Sequence, residues 1–209
     1  SAASDVYKRQ LKVMEEGQSL ASLTERVLRG AGDLIVNTKP DTVLVHGDTT
    51  TAFASALAAF YAGIPVGHVE AGLRTFDTSS PFPEEANRQL IARLCEYNFA
   101  PSDKAQENLL NEGIHASRVI VTGNTVVDSL RFLLDKFENN KRFIQEVKLD
   151  LASTLGFNVD SERYVLVTLH RRESINRGIA EVCSAILELA RIRPDITFVA
   201  VSYTHLRAH

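Results

Sequence analysis

The sequence predicts an α/β protein with Rossmann-like parallel sheets. Two observations carry this. Short apolar runs, such as Val43 to Val45 and Ile64 to Val69, alternate with stretches of helical period. Each run then ends in a polar or glycine turn: His46-Gly47-Asp48, Glu70-Ala71-Gly72 and Gly123-Asn124-Thr125. Parallel sheets place ligands beyond the carboxyl ends of their strands. Asp48 and Glu70, each closing a strand, are therefore expected to face one crevice.

The elements follow in order. Leu20, Leu23, Val27, Leu28, Leu34 and Ile35 keep helical spacing, Ser22-Leu23-Thr24-Glu25 reads as a capping box, and Pro40 closes the helix. The strand at Val43 leads into an Ala- and Thr-rich helix, Thr49 to Tyr61, stopped by Gly63 and Pro65. After the strand ending at Val69, Arg74 to Pro83 is a polar loop and Glu84 opens a helix to about Leu94. Tyr97 to Ala100 reads as a strand, Ser102 caps a helix ending near Gly113, and Val119 to Thr122 is a strand feeding a helix at Val126. From Lys136 to Arg163 the chain turns charged and Asn-rich, with a weak helical pattern near Phe143 to Leu151. This stretch is read as the exit from a first domain covering 11–160. A second begins at 161 with a strand, Tyr164 to Leu169, a helix, Ile179 to Ile192, and a strand at Ile196 to Val201. Two such domains joined by a linker bring their loops toward one cleft.

Composition narrows the classes. A net charge of −3 gives no footprint for nucleic acid or an anionic membrane. No apolar run approaches the length of a membrane span, and no signal-peptide pattern stands at the start. Cys95 and Cys183 lack metal-type spacing and sit in helix-like patterns, so both read as small buried apolar side chains. A reducing cytoplasm fits these features.

Several residue sets carry candidate chemistry. His46-x-Asp48 and His68-x-Glu70 repeat one layout on neighbouring strands. Residues i and i+2 of a strand share a face, so two histidines and two carboxylates converging on a metal is one reading. The other places both rings inside the sheet, donating to backbone carbonyls. The Gly47-to-Thr51 turn resembles an anion-binding turn, but an aspartate there repels phosphate and is better placed to move a proton or bind sugar hydroxyls. Asp48 also reads as a simple helix N-cap. Glu84 and Glu85 fit a first turn where carboxylates favour the helix dipole. His170-Arg171-Arg172-Glu173 follows a strand end. The arginine fork suits phosphate oxygens, and a solvated basic loop is the plainer alternative.

HGDTTT, GHVEAGLRT, PEEANR, TGNTVVD and TLHRRES occur here in that order, from about Leu11 to about Ala200. Together they closely resemble the non-hydrolysing UDP-N-acetylglucosamine 2-epimerases. The resemblance implies a two-domain, glycosyltransferase-B-like fold with its active site in the interdomain cleft. It implies interconversion of UDP-GlcNAc and UDP-ManNAc, and a homodimer at full length. By motif match the catalytic candidates are Asp48, Glu70, Glu84 and His170, with Asp48, Glu70, His170 and Arg171 contacting substrate. No cofactor and no metal is expected, since neither a GxGxxG fingerprint nor HExxH is present. The family's opening GTRPE-type loop and its later DSGGxxEE-type segment, which hold the nucleotide, have no match. Residues 1–10 and about 201–209 depart from the family pattern and are read as non-native, so the expectation is a central fragment truncated at both ends. Three other readings stay open: a hydrolysing relative releasing ManNAc and UDP, a glycosyltransferase of the same fold, and a non-catalytic nucleotide-sugar-binding module.

Overall fold

A computed structural model describes residues 9–15, 17–168 and 178–201. The chain divides into two units, Ser1–Ser129 and Leu130–His209.

In the first unit, helix α1 (Leu20–Thr38) buries Val27, Ala31 and Ile35, one every turn. Its N-cap is Ser19, whose hydroxyl accepts from Ser22 N–H. The capping box expected at Ser22 is not formed: these residues already lie in the first turns, and Glu25 instead accepts from Arg29 one turn on. Strand β1 (Val43–His46), helix α2 (Thr50–Tyr61) and strand β2 (Val66–Val69) make the expected βαβ unit. Helix α3 (Glu84–Leu94), strand β3 (Tyr97–Ala100), helix α4 (Asp103–Asn111), capped by Ser102, and strand β4 (Val119–Val121) complete it. The four strands are parallel, in the order β1-β2-β3-β4.

The helices gather on one face of that sheet. Val45 and Val66 pack with Ala31, Ile35, Ala52, Ala56 and Ile91 from α1, α2 and α3. Ala100 and Val119, on the same face by register, pack with Ala92, Ala105 and Leu109. Alanines give α2 its close approach: Ala52, Ala54, Ala56, Ala58 and Ala59 are all buried. Buried Cys95 closes the first cluster, and burial pushes its thiol up to about 12, so it behaves as an apolar side chain.

The division between the units falls within helix α5 (Thr125–Asn139). In the second unit, helix α6 (Lys141–Leu155) is longer than the weak pattern implied. Asn140 caps it by accepting from Phe143 N–H, the Phe137 and Phe143 rings pack 5.4 Å apart, and Gly156 ends it in the left-handed region. Strands β5 (Tyr164–Thr168) and β6 (Thr197–Val201) pair in parallel, and helix α7 (Gly178–Ile192) lies between them in sequence. Cys183 is exposed, contrary to expectation. The more enclosed positions of α7 are Val182, Ile186 and Ala190, and Cys183 lies one residue off that stripe.

Candidate active site

The carboxyl ends of β1 and β2 deliver the acidic residues. Gly47 turns the chain after β1 at φ 74°, and its N–H donates to Val69 O at 3.1 Å, which locks the two strand ends together. A Cβ at residue 47 would lie 3.8 Å from Glu70 Oε2, so the Glu70 carboxylate sits beside the turn that carries Asp48. Glu70 itself has φ 71°, a left-handed conformation that costs a non-glycine residue roughly 1–3 kcal/mol and is enriched at functional sites. His46 Nε2 lies 3.4 Å from Glu70 Oε2. A small recess at the ends of β2, β3 and β4 is lined by Val69, Glu70, Pro101, Gly123, Asn124 and Thr125.

The two histidines do not converge. Register pairs Val45 with His68 and His46 with Val69, so the rings take opposite faces of the sheet. His46 is exposed, whereas His68 is buried and its Nε2 donates to Gly47 O at 2.8 Å. That bond fixes the tautomer, leaving Nδ1 unprotonated and without a hydrogen-bond partner. Burial lowers the imidazole to about 4, against the Gly47 bond that favours the charged ring. Of the two readings of this pair, the sheet-bound one holds for His68 alone. Among the described residues no group of three or more His, Cys, Asp or Glu side chains is placed to hold a metal.

Asp48 is not a cap. Thr49 caps α2, its hydroxyl accepting from Ala52 N–H at 3.1 Å. Asp48 is instead held from α3: Asn87 Nδ2 donates to its carbonyl at 2.8 Å and Arg88 Nε to its Oδ2 at 3.0 Å. Glu84, Asn87 and Arg88 stand at i, i+3 and i+4, on one side of the helix. Glu84 therefore shares the face of α3 that meets Asp48, and among the described residues its side chain has no hydrogen bond or ion pair. The structure thus brings Asp48, Glu70 and Glu84 to neighbouring element ends. His170 and Arg171 lie outside the described residues.

Glu85 does something the helix-dipole reading did not anticipate. It is fully buried and accepts from the N–H groups of Thr75 and Phe76 and from Gln89 Nε2, at 2.9 to 3.2 Å. Burial alone would raise its carboxyl, but these bonds and the Arg88 charge outweigh it and hold it below the usual carboxylate range. The loop between β2 and α3 is thereby tied to the base of α3. The residue just before Thr75 and Phe76 is held as well: the Arg74 side chain is fully enclosed, and its Nε and Nη2 donate to the two Glu112 oxygens at 2.6 and 3.0 Å. The spacing within PEEANR puts Asn87 and Arg88 one turn beyond Glu84 on one side of the helix, but their contacts to Asp48 join residues 39 and 40 positions apart and carry no local signal.

A four-stranded parallel sheet with acidic groups beyond its carboxyl edge, a tethered loop and an adjoining helix define a Rossmann-like domain with a candidate polar site at that edge. Residues 4–207 match the family model "UDP-N-acetylglucosamine 2-epimerase", and the chain belongs to that family. It is 46% identical over 189 residues to the UDP-N-acetylglucosamine 2-epimerase of Escherichia coli K12, covering 90% of this chain and 49% of that protein. A Neisseria meningitidis UDP-GlcNAc 2-epimerase crystallised with UDP-GlcNAc superposes with a TM-score of 0.85 at 43% identity, over 95% of this chain and 52% of that one. A Methanocaldococcus jannaschii UDP-GlcNAc 2-epimerase in complex with UDP-GlcNAc and UDP gives 0.76 at 34% identity, over 91% of this chain and 50% of that one. The chain therefore has the glycosyltransferase-B-like α/β fold of these enzymes, over about half of their length.

Proposed function

We propose that the full-length protein interconverts UDP-GlcNAc and UDP-ManNAc by eliminating and re-adding UDP. A base removes the proton on sugar C2. The electron pair of that C–H bond forms the C1=C2 double bond, and the C1–O bond breaks with its pair leaving on UDP. Protonation of C2 from the opposite face and attack of the diphosphate oxygen on C1 give the epimer, with no net change in oxidation state. Two proton-transfer groups on opposite sugar faces are required. Asp48, Glu70 and Glu84 are the candidates. His170 and Arg171 are assigned to the departing diphosphate, where cationic donors stabilise the developing charge.

What supports this reading is that Asp48 and Glu70 follow the ends of the paired strands β1 and β2 and Glu84 opens α3, the helix that holds Asp48, in a chain of the epimerase family. The test runs the reaction in D₂O and follows deuterium at sugar C2. Asp48→Asn, Glu70→Gln and Glu84→Gln are each expected to lower epimerisation by about 10²–10⁴-fold while UDP-GlcNAc binding changes little. His170→Ala is expected to slow departure and return of UDP instead. Near wild-type exchange and epimerisation in all three carboxylate variants would remove them from proton transfer. Free ManNAc as the product would move the protein to the hydrolysing class, a transferred sugar to the glycosyltransferases, and binding without turnover to a non-catalytic nucleotide-sugar-binding module.

A further inference from the structure

Arg88 stands one turn into α3 with its side chain only 13% exposed. Its Nε donates to Asp48 Oδ2 at 3.0 Å, and its Nη1 lies 3.4 Å from Glu85 Oε2. One guanidinium thus has a carboxylate on each side. Glu85 cannot swing away, because the backbone of Thr75 and Phe76 and the Gln89 amide already hold it. The two contacts come from different nitrogens of a rigid planar fork, so fixing one fixes the direction of the other. Asp48 is located at its backbone as well: Asn87 holds its carbonyl, and His68 holds the carbonyl of Gly47 before it. The remaining freedom is rotation of the carboxylate, and among the described residues Arg88 is the group that restrains it. Asp48 is one-third exposed (34%), where an ion pair contributes little to stability, so the contact matters for geometry more than for folding.

We infer that Arg88 is a positioning residue for the epimerisation, setting the orientation of the Asp48 carboxylate, with Glu85 setting that of the guanidinium. This role rests on the reading that Asp48 acts on the sugar. A carboxylate misplaced by about 1 Å loses on the order of 10² in rate. Arg88→Met in the full-length protein is therefore expected to lower kcat by about 10²-fold with KM little changed. Arg88→Lys, which keeps the charge but offers no fork, should fall between.

The decisive measurement is the same pair of substitutions made in Asp48→Asn. If Arg88 works through Asp48, Arg88→Met costs no more than about twofold there, the scatter expected of additive energies. Circular-dichroism melts and UDP-GlcNAc binding report whether each variant is folded, and Arg88→Lys carries the test if Arg88→Met is not. Equal losses in both backgrounds, or wild-type kcat in the folded lysine variant, overturn this role and leave the functional reading standing. A wild-type protein with no deuterium entry at C2 overturns the functional reading, and this role with it.

Discussion

His68 places an imidazole where water does not reach it, and the consequence is a pH-dependent stability. The ring is neutral in the folded protein down to about 4, against 6.5 in an open chain, chiefly because burial disfavours the charged form. Above the unfolded value neither state binds the proton. Between 6.5 and 4 the unfolded chain takes up a proton that the folded chain refuses, so stability falls as pH falls through that window. The full contribution is on the order of 3 kcal/mol. His68→Gln has no such proton. Its stability deficit relative to wild type is therefore expected to shrink between about pH 7 and about pH 4.5, while carboxylate effects common to both proteins cancel. Paired thermal melts at the two pH values check this. A deficit that stays constant would mean the ring is accessible or charged in the folded state.

At the scale of elements, the close approach of the loop after β2 to α4 is the least tolerant feature. Gly72 has φ 88°, and a Cβ there would fall 2.2 Å from the carbonyl oxygen of Ala105 and 3.0 Å from a Leu109 methyl. The Gly72 carbonyl also accepts from the buried Asn108 amide at 3.0 Å, so the loop cannot lift off without orphaning that amide. Gly72→Ala combines left-handed strain with a backbone clash, and a loss of roughly 3 kcal/mol or more is expected, read from the denaturation midpoint. Gly67→Ala meets the flexible Leu44 side chain at 2.6 Å and should cost less. An alanine at 72 as stable as wild type would show that α4 docks differently. The glycine itself was visible in the HVEAGLR stretch. The strand-turn-helix alternation was equally legible, because period and punctuation are local signals, and the bounds of α3 and β3 came out as the pattern implied. What the sequence did not carry was register. Whether His46 and His68 share a face depends on how β1 slides against β2, and one residue of offset reverses the answer. Likewise Glu85 went to the backbone of Thr75 and Phe76, because that depends on where the loop returns.

At the scale of the molecule, the sheet of the first unit is covered unevenly. Parallel sheets ordinarily bury both faces. Here both apolar clusters lie on one face, and the other presents Leu44, Tyr97 and Ile120, exposed by 66%, 41% and 44%. Register confirms that these residues share that face, where Tyr97 also stacks on Phe99. In the second unit the described strands form a sheet of two, an arrangement of marginal stability by itself. The chain also spans about half the length of its curated relatives. The 209-residue chain by itself is therefore expected to bind a hydrophobic dye in its folded state, to associate as its concentration rises, and to turn over no UDP-GlcNAc. Sedimentation velocity across a concentration series, dye fluorescence and product analysis check the three parts. Leu44→Lys and Ile120→Lys, both on the exposed face, should reduce dye binding and association without lowering the melting temperature, since neither side chain is enclosed. A monomer that ignores the dye and melts in one sharp step would mean that this face is covered. Normal turnover by that monomer would mean that the residues of this chain, Asp48, Glu70, Glu84, His170 and Arg171 among them, suffice for the reaction without any further segment.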